Sequence, residues 1–191
     1  MIRTVQLDDV PQQPWRNGGG STQELLAWPA AADWVLRISV ARIDANGPFS
    51  AYPGIERWFA VVGGEGVVLR FAARRAMLSA GSEPLRFDGA AAPQCDLLDG
   101  PTQDLNLMVR SDAGRGGMAR VVAGQDWVST AAVRAVYTAD AAALHVEGTE
   151  PLALPAGTLA WSEHAADQVW RLQASTGAAL AWWLHVKVRA T

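Results

Sequence analysis

Short segments in which apolar and polar residues alternate recur along this chain of 191 residues, whereas apolar residues at helical spacing are scarce. The alternation is clearest in residues 34–41, 104–110 and 180–189. Residues 57–71 add an apolar run, a glycine-rich turn and a second apolar run, which is typical of a β-hairpin. Because a period of two puts successive side chains on opposite faces of a strand, this pattern predicts an all-β sandwich or barrel.

A glycine-rich, polar segment, residues 111–120, divides the chain into a larger front half and a smaller rear half. Each half contains apolar runs joined by a proline or glycine corner, in LRFDGAAAPQCDLLDG and in LALPAGTLAWSEHAADQVWRL. We therefore predict one small barrel in two copies: residues 1–114 form an N-terminal barrel with the ligand pocket, and residues 115–191 form a smaller C-terminal barrel.

Composition and charge exclude several classes of protein. The net charge of -3 argues against binding to nucleic acid. The chain has no apolar run of membrane-spanning length, and its first residues lack the apolar region of a signal peptide. With a single cysteine, Cys95, it can form no intramolecular disulfide, and that thiol is expected to be a small buried residue. We expect a cytoplasmic protein without a membrane partner, either a monomer or a homodimer.

Three consecutive glycines in PWRNGGGSTQEL, residues 14–25, require a conformational explanation, because glycine loses the most backbone entropy on folding. The segment lacks the spaced glycine and the lysine of a phosphate-binding loop. Two explanations remain: a tight turn at a barrel edge, or a loop that walls a ligand pocket. Arg16 and Asn17, together with the N–H groups of Gly18 and Gly19, favour the pocket because such donors suit an anion.

Three segments together resemble the HutD/Ves family, whose members are cupin-fold proteins associated with bacterial histidine utilisation. They are PWRNGGGSTQEL, GPFSAYPGIERWFAVVGGEGVVL (residues 47–69) and LRFDGAAAPQCDLLDGPTQDLNLMVR (residues 85–110). The resemblance implies a double-stranded β-helix (cupin or jelly-roll) barrel in two copies, a bicupin. It also implies a regulatory role in histidine catabolism and a small carboxylate ligand, such as urocanate or a formylated glutamate. It implies no established enzymatic reaction.

Metal-dependent cupins carry the pattern His-x-His-Pro-Gly-x-x-Glu, whose imidazoles and carboxylate suit divalent metals. On SAYPGIER this pattern places Ser50 and Tyr52 at the histidine positions and Arg57 at the glutamate position. We therefore predict neither a metal nor another cofactor in the front barrel. A pocket with Arg57 and no metal should instead attract a carboxylate, which a guanidinium can hold bidentately.

Asp104 and Asn106 share one strand face with Met108. If that face points into the barrel, it supplies an acceptor and an amide to a ligand, and the alternative is a hydrogen-bonded structural row. Arg37 is expected to be exposed on its strand. The three histidines, His145, His164 and His185, lie far apart in the rear half without metal-ligand spacing.

These residues support a metal-free cupin that binds a small carboxylate and modulates histidine breakdown. Arg57 would hold the carboxylate, and Asn17 and Asn106 would orient polar groups. A second hypothesis is a metal-independent isomerase or lyase with Asp104 as general base and Arg57 as electrophile. A third is a structural partner of another catabolic protein.

Overall fold

The computed structural model describes residues 1–163, 168–174 and 179–189 of the chain. These residues form nineteen strands and two short 3-10 helices, Leu7–Asp9 and Gly89–Ala91, so the predicted all-β class is confirmed. Among them is no helix that is long and apolar enough to cross a membrane. The strands are β1 (Arg3–Gln6), β2 (Gln13–Pro14), β3 (Gly20–Trp28), β4 (Leu36–Ile43), β5 (Gly47–Pro48), β6 (Ile55–Gly63), β7 (Val67–Arg70), β8 (Arg75–Leu78), β9 (Leu85–Asp88), β10 (Gln94–Leu97), β11 (Thr102–Arg110), β12 (Gly114–Arg120), β13 (Asp126–Trp127), β14 (Val133–Thr138), β15 (Ala142–Val146), β16 (Leu152–Leu154), β17 (Thr158–Glu163), β18 (Trp170–Ala174) and β19 (Ala181–Val188).

Four antiparallel sheets build two barrels. The front barrel consists of a six-stranded sheet in the order β2-β3-β4-β11-β6-β9 and a four-stranded sheet in the order β5-β10-β7-β8. The rear barrel consists of a five-stranded sheet, β1-β17-β14-β19-β12, and a four-stranded sheet, β13-β18-β15-β16. The triplets β11-β6-β9 and β10-β7-β8 of the front barrel therefore recur as β19-β14-β17 and β18-β15-β16, so one strand order is used twice.

The first strand of the chain belongs by its pairing to the rear barrel. Strand β1 lies antiparallel to β17, with Arg3 opposite Trp161, whereas β2 and β3 join the front sheet. Strand β12 begins at Gly114 and pairs with β19, also in the rear sheet. The division into domains at residue 114 stays a prediction. The pairing of β1 with β17 shows that one strand from before this boundary belongs to the rear barrel.

The larger sheets of the two barrels pack against each other through an apolar layer. In β11, Leu105 and Leu107 face this layer, as the alternation of the strand requires, and both are fully buried. The rear sheet contributes Tyr137, Trp182 and Leu184 to the same cluster. The opposite faces of the two sheets point into their own barrels, where separate clusters form around Phe59 in front and Trp170 behind.

Candidate functional site

The interior of the front barrel contains a cavity of about 470 Å³. Its wall comes from the inward faces of β4, β6 and β11 and from the segments around β2 and β5. The lining residues are Gln13, Pro14, Trp15, Arg16, Asn17, Thr22, Arg37, Ser39, Ala41, Ile43, Pro48, Phe49, Ser50, Tyr52, Arg57, Phe59, Asn106 and Met108. Six of the residues predicted for the site are therefore brought together: Arg16, Asn17, Ser50, Tyr52, Arg57 and Asn106.

Arg57 is the buried cation of this cavity. It lies on β6 opposite Met108 of β11, with a relative exposure of 7%. Its Nη2 donates a hydrogen bond of 3.0 Å to Asn106 Oδ1, while Nε makes no hydrogen bond within the described residues. The guanidinium carbon lies 5.0–5.6 Å from the ring centroids of Phe49, Tyr52 and Phe87. Aromatic faces attract a guanidinium at this range, so they stabilise the charge without neutralising it.

Burial lowers the pKa of Arg57 to about 10, with Tyr52 opposing the shift and the nearby charge of Arg37 adding to it. At neutral pH the group therefore keeps its proton. No ion pair involves Arg57 in the part of the chain that the structure describes. Burying a charged guanidinium without a carboxylate partner costs free energy of folding, and a bound anion would offset that cost.

The second arginine of the wall, Arg37, is compensated. Its Nε lies 2.6 Å from Glu24 Oε2 on the neighbouring strand, and its side chain is only 20% exposed. The prediction that Arg37 lies on the surface is wrong, because its position on β4 points inward beside Ser39 and Ala41. A cation within a strand can face a barrel interior when the next strand supplies a carboxylate.

The triple glycine has two local causes. Gly18 adopts φ +70°, which side-chain-bearing residues rarely tolerate, and Gly19 donates its N–H to Asn17 Oδ1 at 3.1 Å. Gly20 opens β3, where a Cβ would overlap the carbonyl oxygen of Arg42 on the paired strand. The residues in front of these glycines, Arg16 and Asn17, line the cavity, whereas Gly18 and Gly19 are not among the lining residues. Contact of either glycine with a ligand stays a prediction.

Asp104 lies on the same inward face as Asn106, two residues before it on β11, but it does not line the cavity. It is fully buried, and its Oδ2 accepts a hydrogen bond of 2.7 Å from Thr102 Oγ1, whereas Oδ1 has no partner within the described residues. Burial raises the pKa of this carboxyl to about 7, and the Thr102 bond opposes that shift. The two members of the predicted polar pair are thus separated: Asn106 faces the cavity, and Asp104 belongs to a buried structural row.

Sequence reasoning missed part of the wall. Trp15 lines the cavity, and its Nε1 donates a hydrogen bond of 2.8 Å to Thr22 Oγ1, which ties the N-terminal segment to β3. Phe49 and Met108 complete the apolar side. For the polar side of the cavity a sequence signal exists, because the period-two pattern of β4 places Arg37 and Ser39 on the same face of the strand. For Trp15 no such signal exists, because its segment is too short to show a period.

The described residues contain no group of three or more histidine, cysteine, aspartate or glutamate side chains placed to hold a metal ion. His164 lies outside the described ranges. Cys95 is buried and free, as expected, and burial together with the nearby Asp104 raises the pKa of its thiol to about 12.

The duplicated strand order and the interior cavity define a cupin-like protein. A mutant of oxalate decarboxylase OxdC from Bacillus subtilis shares this fold with a TM-score of 0.64 at 8% identity, over 98% of this chain and 78% of that one. The HutD family profile matches residues 7–182, so the chain belongs to the HutD family.

Individual relatives agree with this assignment. Protein Ves from Citrobacter koseri is 31% identical over 174 residues, which cover 81% of this chain and 89% of the relative. A 21.2 kDa protein in the hutC 3' region of Pseudomonas putida is 29% identical over 109 residues, 56% of this chain and 57% of that protein. The structure of HutD from Pseudomonas fluorescens SBW25, determined in a formate condition, has a TM-score of 0.86 at 24% identity over the whole of both chains. The family is thereby linked to the histidine-utilisation locus.

Proposed function

We propose that the front barrel binds a small carboxylate metabolite and that this binding modulates histidine catabolism. The observation that carries the proposal is Arg57, a buried and protonated guanidinium that lines a 470 Å³ cavity and has no carboxylate partner in the described ranges. A cavity of this size suits one small organic molecule. An anion bound in the cavity would balance the positive charge of Arg57, for which the described residues supply no carboxylate.

The surroundings of Arg57 determine how it presents its donors. Asn106 accepts from Nη2 and donates its own Nδ2 to the carbonyl of Asp104 at 3.2 Å, which fixes the orientation of the amide. Nη2 has one acceptor, Asn106, and Nε is buried, so the other N–H groups of Nη1 and Nη2, which have no acceptor within the described residues, remain for a ligand. A carboxylate can take two such donors in a bidentate arrangement.

The regulatory part of the proposal rests on the family and its genetic setting. One relative lies in the hutC 3' region, and the family is linked to the histidine-utilisation locus. Urocanate and N-formylglutamate are therefore the first carboxylates to test. The isomerase or lyase hypothesis has no observation in its favour, because its general base, Asp104, lies outside the cavity wall.

Titration calorimetry with urocanate and N-formylglutamate tests the proposal. Arg57→Met keeps an unbranched side chain among the aromatic rings and removes the charge, and it should weaken binding about tenfold to a hundredfold or more, since a hydrogen bond to a charged group contributes roughly 1.5–3 kcal/mol. Arg70→Ala removes an exposed arginine of the same barrel that pairs with Asp96, and it should bind like the wild type. Equal affinity of folded Arg57→Met and wild type would overturn the proposal.

A further inference from the structure

Residues 1–17 form one continuous segment that connects the cavity of the front barrel to the sheet of the rear barrel. Residues 13–17 line the cavity, and β1 pairs with β17 of the rear barrel. We infer that this segment couples the two barrels: a ligand in the cavity strengthens the pairing of β1 with β17, and detachment of β1 lowers the affinity for the ligand. The inference rests on the proposed function, because it presupposes that the front cavity binds a ligand.

The rear end of the segment is held by backbone pairing and by one buried side chain. Strand β1 lies antiparallel along β17, and Leu7 continues the pairing by donating its N–H to the carbonyl of Gly157 at 2.9 Å. The side chain of Leu7 is buried in the apolar layer between the barrels. Because β1 is the edge of the rear sheet, it can separate from β17 without opening the rest of that sheet.

The front end of the segment is held by a tight turn. The N–H of Trp15 donates to the carbonyl of Gly20 at 2.9 Å, and Trp15 Nε1 donates to Thr22 Oγ1 on β3 at 2.8 Å. Arg16 and Asn17 lie within this turn and line the cavity. A ligand that contacts either side chain would therefore order the turn and, with it, the adjoining strand β2.

One side chain of β3 links the two ends of the segment. Gln23 Nε2 donates to the carbonyl oxygens of Leu7 and Val10, both at 2.8 Å. The preceding residue, Thr22, lines the cavity, and the alternation of the strand turns Gln23 to the opposite face. The strand that receives the indole of Trp15 therefore also holds the chain directly after β1.

The expected coupling is one of conformational entropy. Only residues 8–12 separate Leu7 from β2, so fixing one end of this short connection restricts the other. A ligand that orders the turn removes part of the freedom that β1 would otherwise lose on pairing with β17. Because the free energy of coupling is reciprocal, detachment of β1 must weaken ligand binding by the same factor.

Hydrogen–deuterium exchange of the full chain tests the first half of the inference. The exchange is measured without ligand and with saturating N-formylglutamate or urocanate, whichever binds more tightly. The ligand should slow the exchange of the amides of residues 3–7 at least about threefold. Strand β16 is the internal control, because it is an edge strand of the other rear sheet, and its exchange should not change.

Titration calorimetry with the same compound tests the reverse direction. Gln23→Leu removes both hydrogen bonds to the segment without altering a residue that lines the cavity, and it should weaken binding about fivefold or more. Leu7→Ala truncates the buried side chain at the rear end and should also weaken binding. Two matched controls should bind like the wild type: Gln173→Leu, at an exposed position of β18, and Leu154→Ala, at a buried position of the rear core.

The outcomes are distinguishable. If the compound binds but the exchange of residues 3–7 slows no more than that of β16, the inference fails while carboxylate binding stands. Wild-type affinity of folded Gln23→Leu also contradicts the inference, whether or not Leu7→Ala folds. If neither compound binds to the wild type, the proposed function fails, and the inference falls with it.

Discussion

The two barrels share one strand order but differ in what fills them. The front segment QCDLLDGPTQDLNLMVR, residues 94–110, aligns without a gap with RLQASTGAALAWWLHVK, residues 171–187. In this alignment Met108 corresponds to His185. Because Arg57 lies opposite Met108 and Arg134 lies opposite His185, the two buried arginines occupy the same position of the repeated fold.

The neighbours of these arginines decide whether a cavity exists. In front, Asn106 lies opposite Ser39, and both line the cavity. Behind, the corresponding pair is Trp183 opposite Ala119. The ring of Trp183 stacks on Trp127, with centroids 4.6 Å apart and planes 7° from parallel, so apolar volume takes the place of the cavity.

The rear arginine donates from both Nη atoms to Gln168, although its Nε, like that of Arg57, has no partner within the described residues. Arg134 Nη1 donates to the carbonyl of Gln168 at 2.7 Å, and the guanidinium carbon lies 4.5 Å from the centroid of a Trp170 ring. A cation at this barrel position therefore does not by itself make a binding site. Small polar neighbours are required as well, and only the front barrel supplies them within the described residues.

Asn106→Trp places the rear barrel's residue in the front barrel and should abolish ligand binding. The indole should occupy the cavity and remove the acceptor of Arg57, so binding of N-formylglutamate should become undetectable in calorimetry. Gln103→Trp, at an exposed position of the same strand, is the control for adding an indole and should bind normally. Retained binding in folded Asn106→Trp would show that the ligand site lies elsewhere.

Trp183→Ala makes the opposite change and should destabilise the rear barrel. Truncation of a buried tryptophan costs about 3–5 kcal/mol, and here the stacking partner Trp127 also loses its contact. Urea unfolding followed by circular dichroism measures the loss. A decrease below about 1 kcal/mol would mean that the stack does not support the rear core.

The two barrels also differ in their expected pH dependence, because Asp104 of the front barrel corresponds to Ala181 of the rear barrel. The folded pKa of Asp104 is about 7, above the ordinary value of 3.8, so between these values the folded state holds a proton that the unfolded state has released. Stability should therefore fall as pH rises through this window and stop falling above about pH 7. Between pH 5 and pH 7 the contribution is on the order of 2 kcal/mol.

Asp104→Asn should remove this part of the pH dependence, as measured by urea unfolding at several pH values. Asp96→Asn, at a partly exposed carboxylate paired with Arg70, is the matched control and should retain the wild-type dependence. Identical pH profiles of Asp104→Asn and wild type would contradict the assignment of this group.

The repeated fold was accessible from sequence because its signals are local. Alternation along β4, β11 and β19 predicts strands and even which residues share a face. Residues 57–71 contain the two predicted strands, β6 and β7, but these belong to different sheets and do not pair with each other, so the predicted hairpin is wrong. The inward direction of a face is not local, since it depends on which sheet covers the other side. For this reason the alternation predicts a cavity position for Asn106 only if its face points inward, and it wrongly predicts surface exposure for Arg37, whose partner Glu24 lies on another strand. The contribution of Trp15 depends on how the short segment before β3 folds back along that strand.

The smallest changes in stability are expected in the loop before β3. This loop joins β2 to β3, and the rear sheet has no strands that correspond to these two. Gly18 has φ +70°, and an alanine there should cost about 1–2 kcal/mol because its Cβ crowds the following carbonyl. Gly19 has an ordinary φ, and a Cβ there would meet only the Asn17 side chain at 3.5 Å, so Gly19→Ala should change stability by less than about 0.5 kcal/mol. Thermal unfolding of both variants measures this order. In calorimetry, Gly19→Ala should leave carboxylate binding intact if Arg16 and Asn17 are the residues of this loop that contact the ligand. A marked loss of affinity in this stable variant would show that the glycine backbone itself approaches the ligand.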